Sequence, residues 1–395
     1  MNKGLRFSHT IGACCTAYIT QSIVINFVPL LFVMFNNKYS VSLAQISVLI
    51  TLTFLLQLAV DFSSAPIVRK FGYRRCVVAA HFLAAAGLIM LGILPNILPN
   101  PYIGILTACI LYSCGSGLIE VIVSPLTEAC PSEHNASQMA FLHSFYCWGT
   151  VLVVFASTMF FILFGIENWQ TASIIWAILP IFNGFFFMFV PIPDMKESED
   201  SDMLTLLRTP IMWIIIILMI CSGAAELAMS QWASAFAESA LGISKTVGDL
   251  AGPCMFAVLM GTGRIVYSRL VKKVDLMKYM IACAVLCIIS YLLAVFSSYP
   301  LFALIGCAVT GFAVGVFWPG TYSFATNRIP AGGAAMFGLL AFAGDAGCTL
   351  GPTVVGYISG IFSDNLKAGL LAAIIFPTVL LFCAILLTAK KEKRI

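Results

Sequence analysis

Residues 61–75 read DFSSAPIVRKFGYRR, and the fold of the whole chain turns on this stretch. A long apolar run ends inside it, Arg69, Lys70, Arg74 and Arg75 follow within seven positions, and a second apolar run starts at Cys76. Cations so closely spaced cannot lie in hydrocarbon, and short loops rich in Lys and Arg are retained on the cytoplasmic side of a membrane. The stretch therefore predicts a tight, basic, cytoplasmic hairpin between two membrane-spanning helices. A counterpart lies 203 residues further on, where residues 264–278 read RIVYSRLVKKVDLMK, again a basic turn between apolar runs. Within it SRLVKKVD (268–275) keeps the apolar and basic order of APIVRKFG (65–72). An echo at half the chain length predicts two structurally repeated halves.

Composition points the same way. The chain is 61% apolar and 10% charged, with a mean hydropathy of +1.00, whereas soluble domains are roughly 45–50% apolar and about 25% charged. A soluble protein could not hide so much apolar surface, so lipid is its solvent. In lipid the backbone must form helices or a closed barrel. The runs are continuous rather than alternating, which selects helices. The net charge of +4 sits in the loops and gives no support for nucleic-acid binding. The 14 cysteines lie within apolar runs without metal-ligand spacing, so they read as small packing residues, and neither a metal nor a cofactor is expected. The leading MNKGLRFSHT lacks a small-residue cleavage site, so the first helix is expected to stay.

With about 20 apolar residues per span, twelve helices are predicted, at 8–35, 42–65, 76–97, 101–127, 137–165, 169–190, 209–239, 245–268, 276–297, 300–326, 332–361 and 366–388. The expected fold is an all-α membrane protein of two pseudo-symmetric six-helix bundles, 1–190 and 209–395, the second ending in a short basic tail. The polar segment 191–208 joins them. Charges check the register: of the 21 Lys and Arg, all but Lys38, Lys245 and Lys367 fall at one face, which places both termini and the linker in the cytoplasm. Asn135, in a sequon, then faces the cytoplasm as well. Gly311 and Gly315, Gly347 and Gly351, and Gly356 and Gly360 stand four apart, a spacing that permits close helix contact in lipid.

Ionisable residues at membrane depth cost about 2.5–3.5 kcal/mol on insertion scales and are functional candidates by default. Glu120 in the fourth helix is the first, as a carboxyl that takes and releases a proton when access alternates; a buried, hydrogen-bonded carboxyl is the structural alternative. Glu226, near an unwinding expected at Ser222-Gly223, and Asp345 among glycines are further candidates for proton coupling. Gln21, Asn26, Gln231, Trp232, Trp318 and Tyr322 are the types that grip a neutral polyol, through amide donors and acceptors and flat aromatic faces. His143, with Tyr146 and Trp148 beside it, joins them as a substrate-binding candidate, though each alone fits ordinary packing. Asp61 and Arg264 occupy corresponding ends of the second and eighth helices. With Arg69 and Arg74 they are candidates for a charged gate, against plain interfacial snorkelling. Glu128 and Glu133 read as solvated.

These residues resemble the major facilitator superfamily in helix count, central linker and paired basic hairpins, over essentially the whole chain. KFGYRR (70–75) keeps the ending of that family's hairpin signature, while Ala65 stands for its leading glycine and Arg69 for its acid. GLIEVIVSP (117–125) and FLHSFYCWG (141–149) look like the fucose:proton symporter branch. The resemblance puts Glu120 on that branch's proton-linked carboxylate. It implies proton-coupled uptake of a sugar or similar polar solute across a bacterial inner membrane, by a monomer whose partners are substrate, protons and lipid. The branch's acid in the first helix is replaced by Gln21 and Asn26. A proton-coupled drug or metabolite exporter is the rival expectation, kept open by 31 Phe and 16 Met. No HExxH, GxSxG or phosphate-loop pattern marks an enzyme.

Overall fold

The computed structural model describes residues 5–131, 135–193, 203–270, 274–329 and 333–392. The side chain of Asp61 lies outside the described residues, as do Glu133, the side chain of Asn135, most of the central linker and the charges of the basic tail. Among the described residues every regular element is helical. Twelve helices are long and apolar enough to cross a membrane. They are α1 (Phe7–Tyr39), α2 (Leu43–Ser64), α3 (Tyr73–Ile97), α4 (Pro101–Glu128), α5 (Leu142–Phe164), α6 (Ile166–Phe189), α7 (Pro210–Ala240), α8 (Lys245–Tyr267), α9 (Leu276–Phe296), α10 (Pro300–Arg328), α11 (Gly338–Ile361) and α12 (Leu366–Thr388). All twelve coincide with the apolar runs, so the protein is an all-α integral membrane protein.

The basic hairpin is as tight as its sequence requires. The helix that begins α2 runs on to Phe71, and α3 starts at Tyr73. Gly72 alone makes the reversal, at φ +82°, a conformation that glycine adopts without the Cβ clash other residues suffer. Gly165, at φ +81°, does the same between α5 and α6. Elsewhere side chains start the helices: Asn100 accepts from the Tyr102 N–H ahead of α4, and Asp275 accepts from Met277 and Lys278 ahead of α9.

Several spans are interrupted. Pro29, which has no N–H to donate, coincides with a 3₁₀ turn at Val28–Leu31 in α1. The unwinding expected at Ser222-Gly223 is not there: α7 is regular helix from Pro210 to Ser230 and breaks at Gln231-Trp232. Gly223 serves packing instead, since a Cβ on it would strike the Gly344 carbonyl of α11. Beyond the break α7 takes a π-helical turn at Phe236–Ala240, and α8 takes another at Leu250–Cys254 around Pro253.

Contacts divide the chain into two compact units, one of residues 1–41 and 52–197, the other of 42–51 and 198–395. In the first, Ala13, Cys14, Ala17, Val77, Ala80, Ile119, Val123 and Phe187 form a buried core shared by α1, α3, α4 and α6. Gly115 lets α4 approach until a Cβ there would lie 2.6 Å from the Ala84 N of α3. In the second unit, Gly347 and Gly351 lay α11 on the Ile220 and Ala224 carbonyls of α7, and Gly311 and Gly315 lay α10 on α8. Gly356 is equally tight, against Ser47 and Trp232, but Gly360 meets only the Ala44 Cβ at 4.0 Å, an ordinary contact. All 14 cysteines are free thiols and 13 are buried, as packing residues should be.

Candidate functional site

In the first unit, three helices converge on one carboxyl. Glu120 sits two turns before the C-terminal end of α4, half-buried. Its Oε2 accepts from Gln21 Nε2 of α1 at 2.6 Å and from Gln57 Nε2 of α2 at 3.4 Å. Gln57 Nε2 also donates to Ser116 Oγ, one turn before Glu120, at 3.2 Å. Both glutamines are almost fully buried, at 3% and 2% exposure, and the carbonyl oxygen of each is buried without a hydrogen-bond donor. An unmatched buried polar atom costs about 1–3 kcal/mol. Two of them beside one carboxyl mark a place that a donor-rich molecule would complete.

An amide is an apt partner for a group that changes charge. It donates through its NH2 to a carboxylate, and rotated by half a turn it accepts through its carbonyl from a carboxylic acid. Glu120 thus meets neighbours that can satisfy it with or without its proton.

The rest of the first unit's candidates flank this centre. Tyr18 Oη lies 2.9 Å from Ser124 Oγ, one turn beyond Glu120, and the Tyr18 ring stands 5.2 Å from the exposed His143 ring of α5. Asn26 Nδ2 donates to the Ser22 carbonyl at 3.0 Å and to Thr150 Oγ1 at 3.2 Å. The Tyr146 carbonyl accepts from Ser22 Oγ at 2.9 Å, so Asn26 and Tyr146 help tie α1 to α5. Trp148 is 50% exposed and takes no part in these bonds among the described residues. Arg69 is exposed, whereas Arg74 donates to the Phe187 and Met188 carbonyls at 2.8 Å each and so closes the end of α6.

In the second unit, Glu226 of α7 is 6% exposed, and its Oε2 is buried without a donor. The charge of Arg264, half-buried on α8, acts on it. Asp345 is 7% exposed on α11, next to Gly344, against which the six-membered ring of the Trp318 indole of α10 packs. The Trp318 and Tyr322 ring centroids are 6.4 Å apart. Gln231 is buried at the break in α7. Trp232 is wholly buried and donates from Nε1 to the Pro352 carbonyl at 3.0 Å.

Sequence reasoning missed Gln57, Ser116, Tyr18 and Ser124. Gln57 had a signal, an amide inside the apolar run TFLLQLAV (53–60), of the same kind that singled out Gln21. Tyr18, Ser116 and Ser124 had none, because small hydroxyls and tyrosines are scattered through many spans. Also missed was an ion cluster of Glu238, Lys245 and Asp249 at the α7–α8 turn.

Comparison with solved structures gives the fold independently. The chain superposes on a nucleoside transporter with a TM-score of 0.79 at 13% identity, covering 95% of this chain and 99% of that one. A bacterial homolog of the human lysosomal transporter Spinster, inward-facing and unoccupied, also reaches 0.79, at 13% identity and 98% and 97% coverage. The E. coli fucose:proton symporter reaches 0.65 at 14% identity, over 95% and 97%. A comparison with curated protein sequences finds no match. At such identities the structures speak for the fold alone. The family model of the Major Facilitator Superfamily matches residues 10–352 and 240–394, so the chain belongs to that superfamily of transporters.

Proposed function

We propose that this transporter couples inward movement of a proton to uptake of a sugar or similar donor-rich neutral solute, by alternating access. One observation carries the reading: the half-buried Glu120 carboxyl is held by Gln21 and Gln57, whose buried carbonyl oxygens lack donors. A polyol hydroxyl supplies the donor those carbonyls lack, and its oxygen can accept from the same amides. Glu120 supplies the proton site, because amide neighbours leave both of its charge states satisfiable.

Glu226 and Asp345 are the reserve candidates for proton coupling. Asn26, His143, Tyr146, Trp148, Gln231, Trp232, Trp318 and Tyr322 remain candidates to touch the solute; Asp61, Arg69, Arg74 and Arg264 remain candidates for gating. The one-sided distribution of Lys and Arg supports cytoplasmic termini in a bacterial inner membrane. The fucose symporter among the similar structures supports a proton-linked sugar, and the nucleoside transporter supports a ribose-bearing one.

The test is uptake by proteoliposomes with an imposed pH gradient, run over a panel of sugars and nucleosides while external pH is recorded. Solute entry with external alkalinisation supports the reading. Expulsion of apolar cations in exchange for protons would replace it with the exporter. Glu120→Gln is expected to keep solute exchange and lose proton-driven accumulation by about tenfold or more, the factor that each 1.4 kcal/mol of lost coupling removes. Unchanged accumulation removes Glu120 from this role.

A further inference from the structure

The hairpin at Gly72 gathers four cations into positions 69–75, and residues 62–75 include no acid. One of the four is engaged within the protein: Arg74 donates to the Phe187 and Met188 carbonyls. Arg69, Lys70 and Arg75 are exposed. Among the described residues none of these three enters an ion pair. Lys70 Nζ lies 5.4 Å from the Phe71 ring centroid, a contact that leaves the ammonium in the open. Because Gly72 alone joins the two helices, Arg69 and Lys70 in the last turn of one stand close to Arg75 in the first turn of the next.

The counterpart hairpin is built otherwise. Its turn includes Asp275, which accepts from the Met277 and Lys278 N–H groups, so an acid of the chain itself stands among the cations. In the first hairpin Arg69 occupies the place of the superfamily's acid, and residues 62–75 supply nothing to offset the positive charge.

Toward the membrane the same helix face turns apolar. Phe62, Pro66, Arg69 and Lys70 follow at steps of four, three and one, a spacing that keeps them on one side of a helix. All four are exposed, Phe62 at 84%. At 1.5 Å per residue Phe62 lies about 10 Å from Arg69 along the axis, and the headgroup layer of one leaflet is about 5–7 Å thick. With Arg69 and Lys70 at the depth of the lipid phosphates, Phe62 is therefore at the depth of the acyl chains. Cations and apolar surface in that order match a single molecule in which a phosphate is joined to acyl chains. A free phosphate ion would match the cations alone.

We propose that the Gly72 hairpin is a docking site for an anionic phospholipid, whose phosphate is held by Arg69, Lys70 and Arg75 and whose acyl chains lie along Phe62 and Pro66. The bound lipid then bridges the two helix ends that Gly72 joins. The site is independent of Glu120 and of the transported solute.

Native mass spectrometry of the full chain, titrated in detergent with dioleoylphosphatidylglycerol or dioleoylphosphatidylcholine, reads this directly. The phosphatidylglycerol is expected to bind more tightly. A Lys or Arg near an anionic lipid surface contributes about fivefold in affinity, so Arg69→Gln/Lys70→Gln/Arg75→Gln should weaken the first bound phosphatidylglycerol by about a hundredfold and leave the phosphatidylcholine unaffected. Arg269→Gln/Lys278→Gln, in the other hairpin, should keep wild-type affinity. Phe62→Ala should weaken the phosphatidylglycerol as well. Equal binding of the two lipids overturns the proposal, as does phosphatidylglycerol held undiminished by the triple variant. Inorganic phosphate that binds as tightly as the lipid, or displaces it at equal concentration, overturns it in favour of a free anion. If the triple variant does not fold, Arg69→Glu decides alone: it removes one attraction and adds a repulsion, for an expected loss of about twentyfold.

Discussion

The two units treat a buried carboxyl in opposite ways. Around Glu120 stand neutral amides that can donate or accept; around Asp249 stand an ammonium and a committed hydroxyl. Amides hold a carboxyl in place while leaving its charge free to change, whereas an ion pair holds it by fixing that charge. A proton carrier needs the first arrangement and a structural tie needs the second. Glu238 lies 3.2 Å from the same ammonium that holds Asp249.

The harshest way to break this contrast is to remove the fixed charge. Lys245→Met would take away the ammonium 2.8 Å from the buried Asp249, and a buried pair that loses one partner typically costs about 3–5 kcal/mol. Thermal unfolding of the detergent-solubilised protein should register that as a large fall in Tm, with Lys245→Arg falling less. A Tm close to wild type would mean that water reaches Asp249 and that its charge is not fixed by Lys245.

A gentler change sharpens the other side. Gln21→Leu removes the 2.6 Å donor from Glu120, and the carboxylate loses more stabilisation than the acid, because a hydrogen bond to a charged group is the stronger of the two. The loss should be about 1.5 kcal/mol, the low end for a hydrogen bond to a charged group because Glu120 is half-buried. The sign follows: the ionised form is disfavoured, so the pH at which transport is half-maximal moves up, by about one unit at 1.36 kcal/mol per unit. Gln57→Leu removes a donor at 3.4 Å and should move the midpoint the same way by less, about 0.5 kcal/mol in energy. Equal shifts, or a downward one, would mean that the amides do not govern the Glu120 proton.

The sequence revealed different amounts of these two places, for physical reasons. Span positions were legible because hydropathy over about 20 residues averages away local detail, and the Gly72 reversal was legible because cations bar the segment from lipid. Glu120 and Gln21 could be found as polar residues in apolar runs, but their meeting is a contact across 99 residues that no local pattern records. Glu238, Lys245 and Asp249 lie at a span boundary, where charges are expected in water and attract no notice. Nothing in their spacing shows that π-helical turns bury them. Ser222-Gly223 misled for the converse reason: the pair that weakens an isolated helix is here the one that lets α7 and α11 meet.

The smallest change asks how far the Glu120 neighbourhood extends along α4. Ser124 stands one turn beyond Glu120 and shares a 2.9 Å hydrogen bond with Tyr18 Oη, whose ring also lies against His143. Ser124→Ala leaves Glu120, Gln21 and Gln57 untouched and removes one neutral hydrogen bond, about 0.5–1.5 kcal/mol in stability. If Tyr18 only ties α1 to α4, Tm drops slightly and the pH midpoint of transport stays where it is. If Tyr18 helps position the solute, KM rises while the midpoint still holds, because no charged group has lost a partner. A moved midpoint would place Ser124 and Tyr18 in the same proton-linked network as the amides, and the neighbourhood that governs Glu120 would then reach a full helical turn further than the two glutamines define.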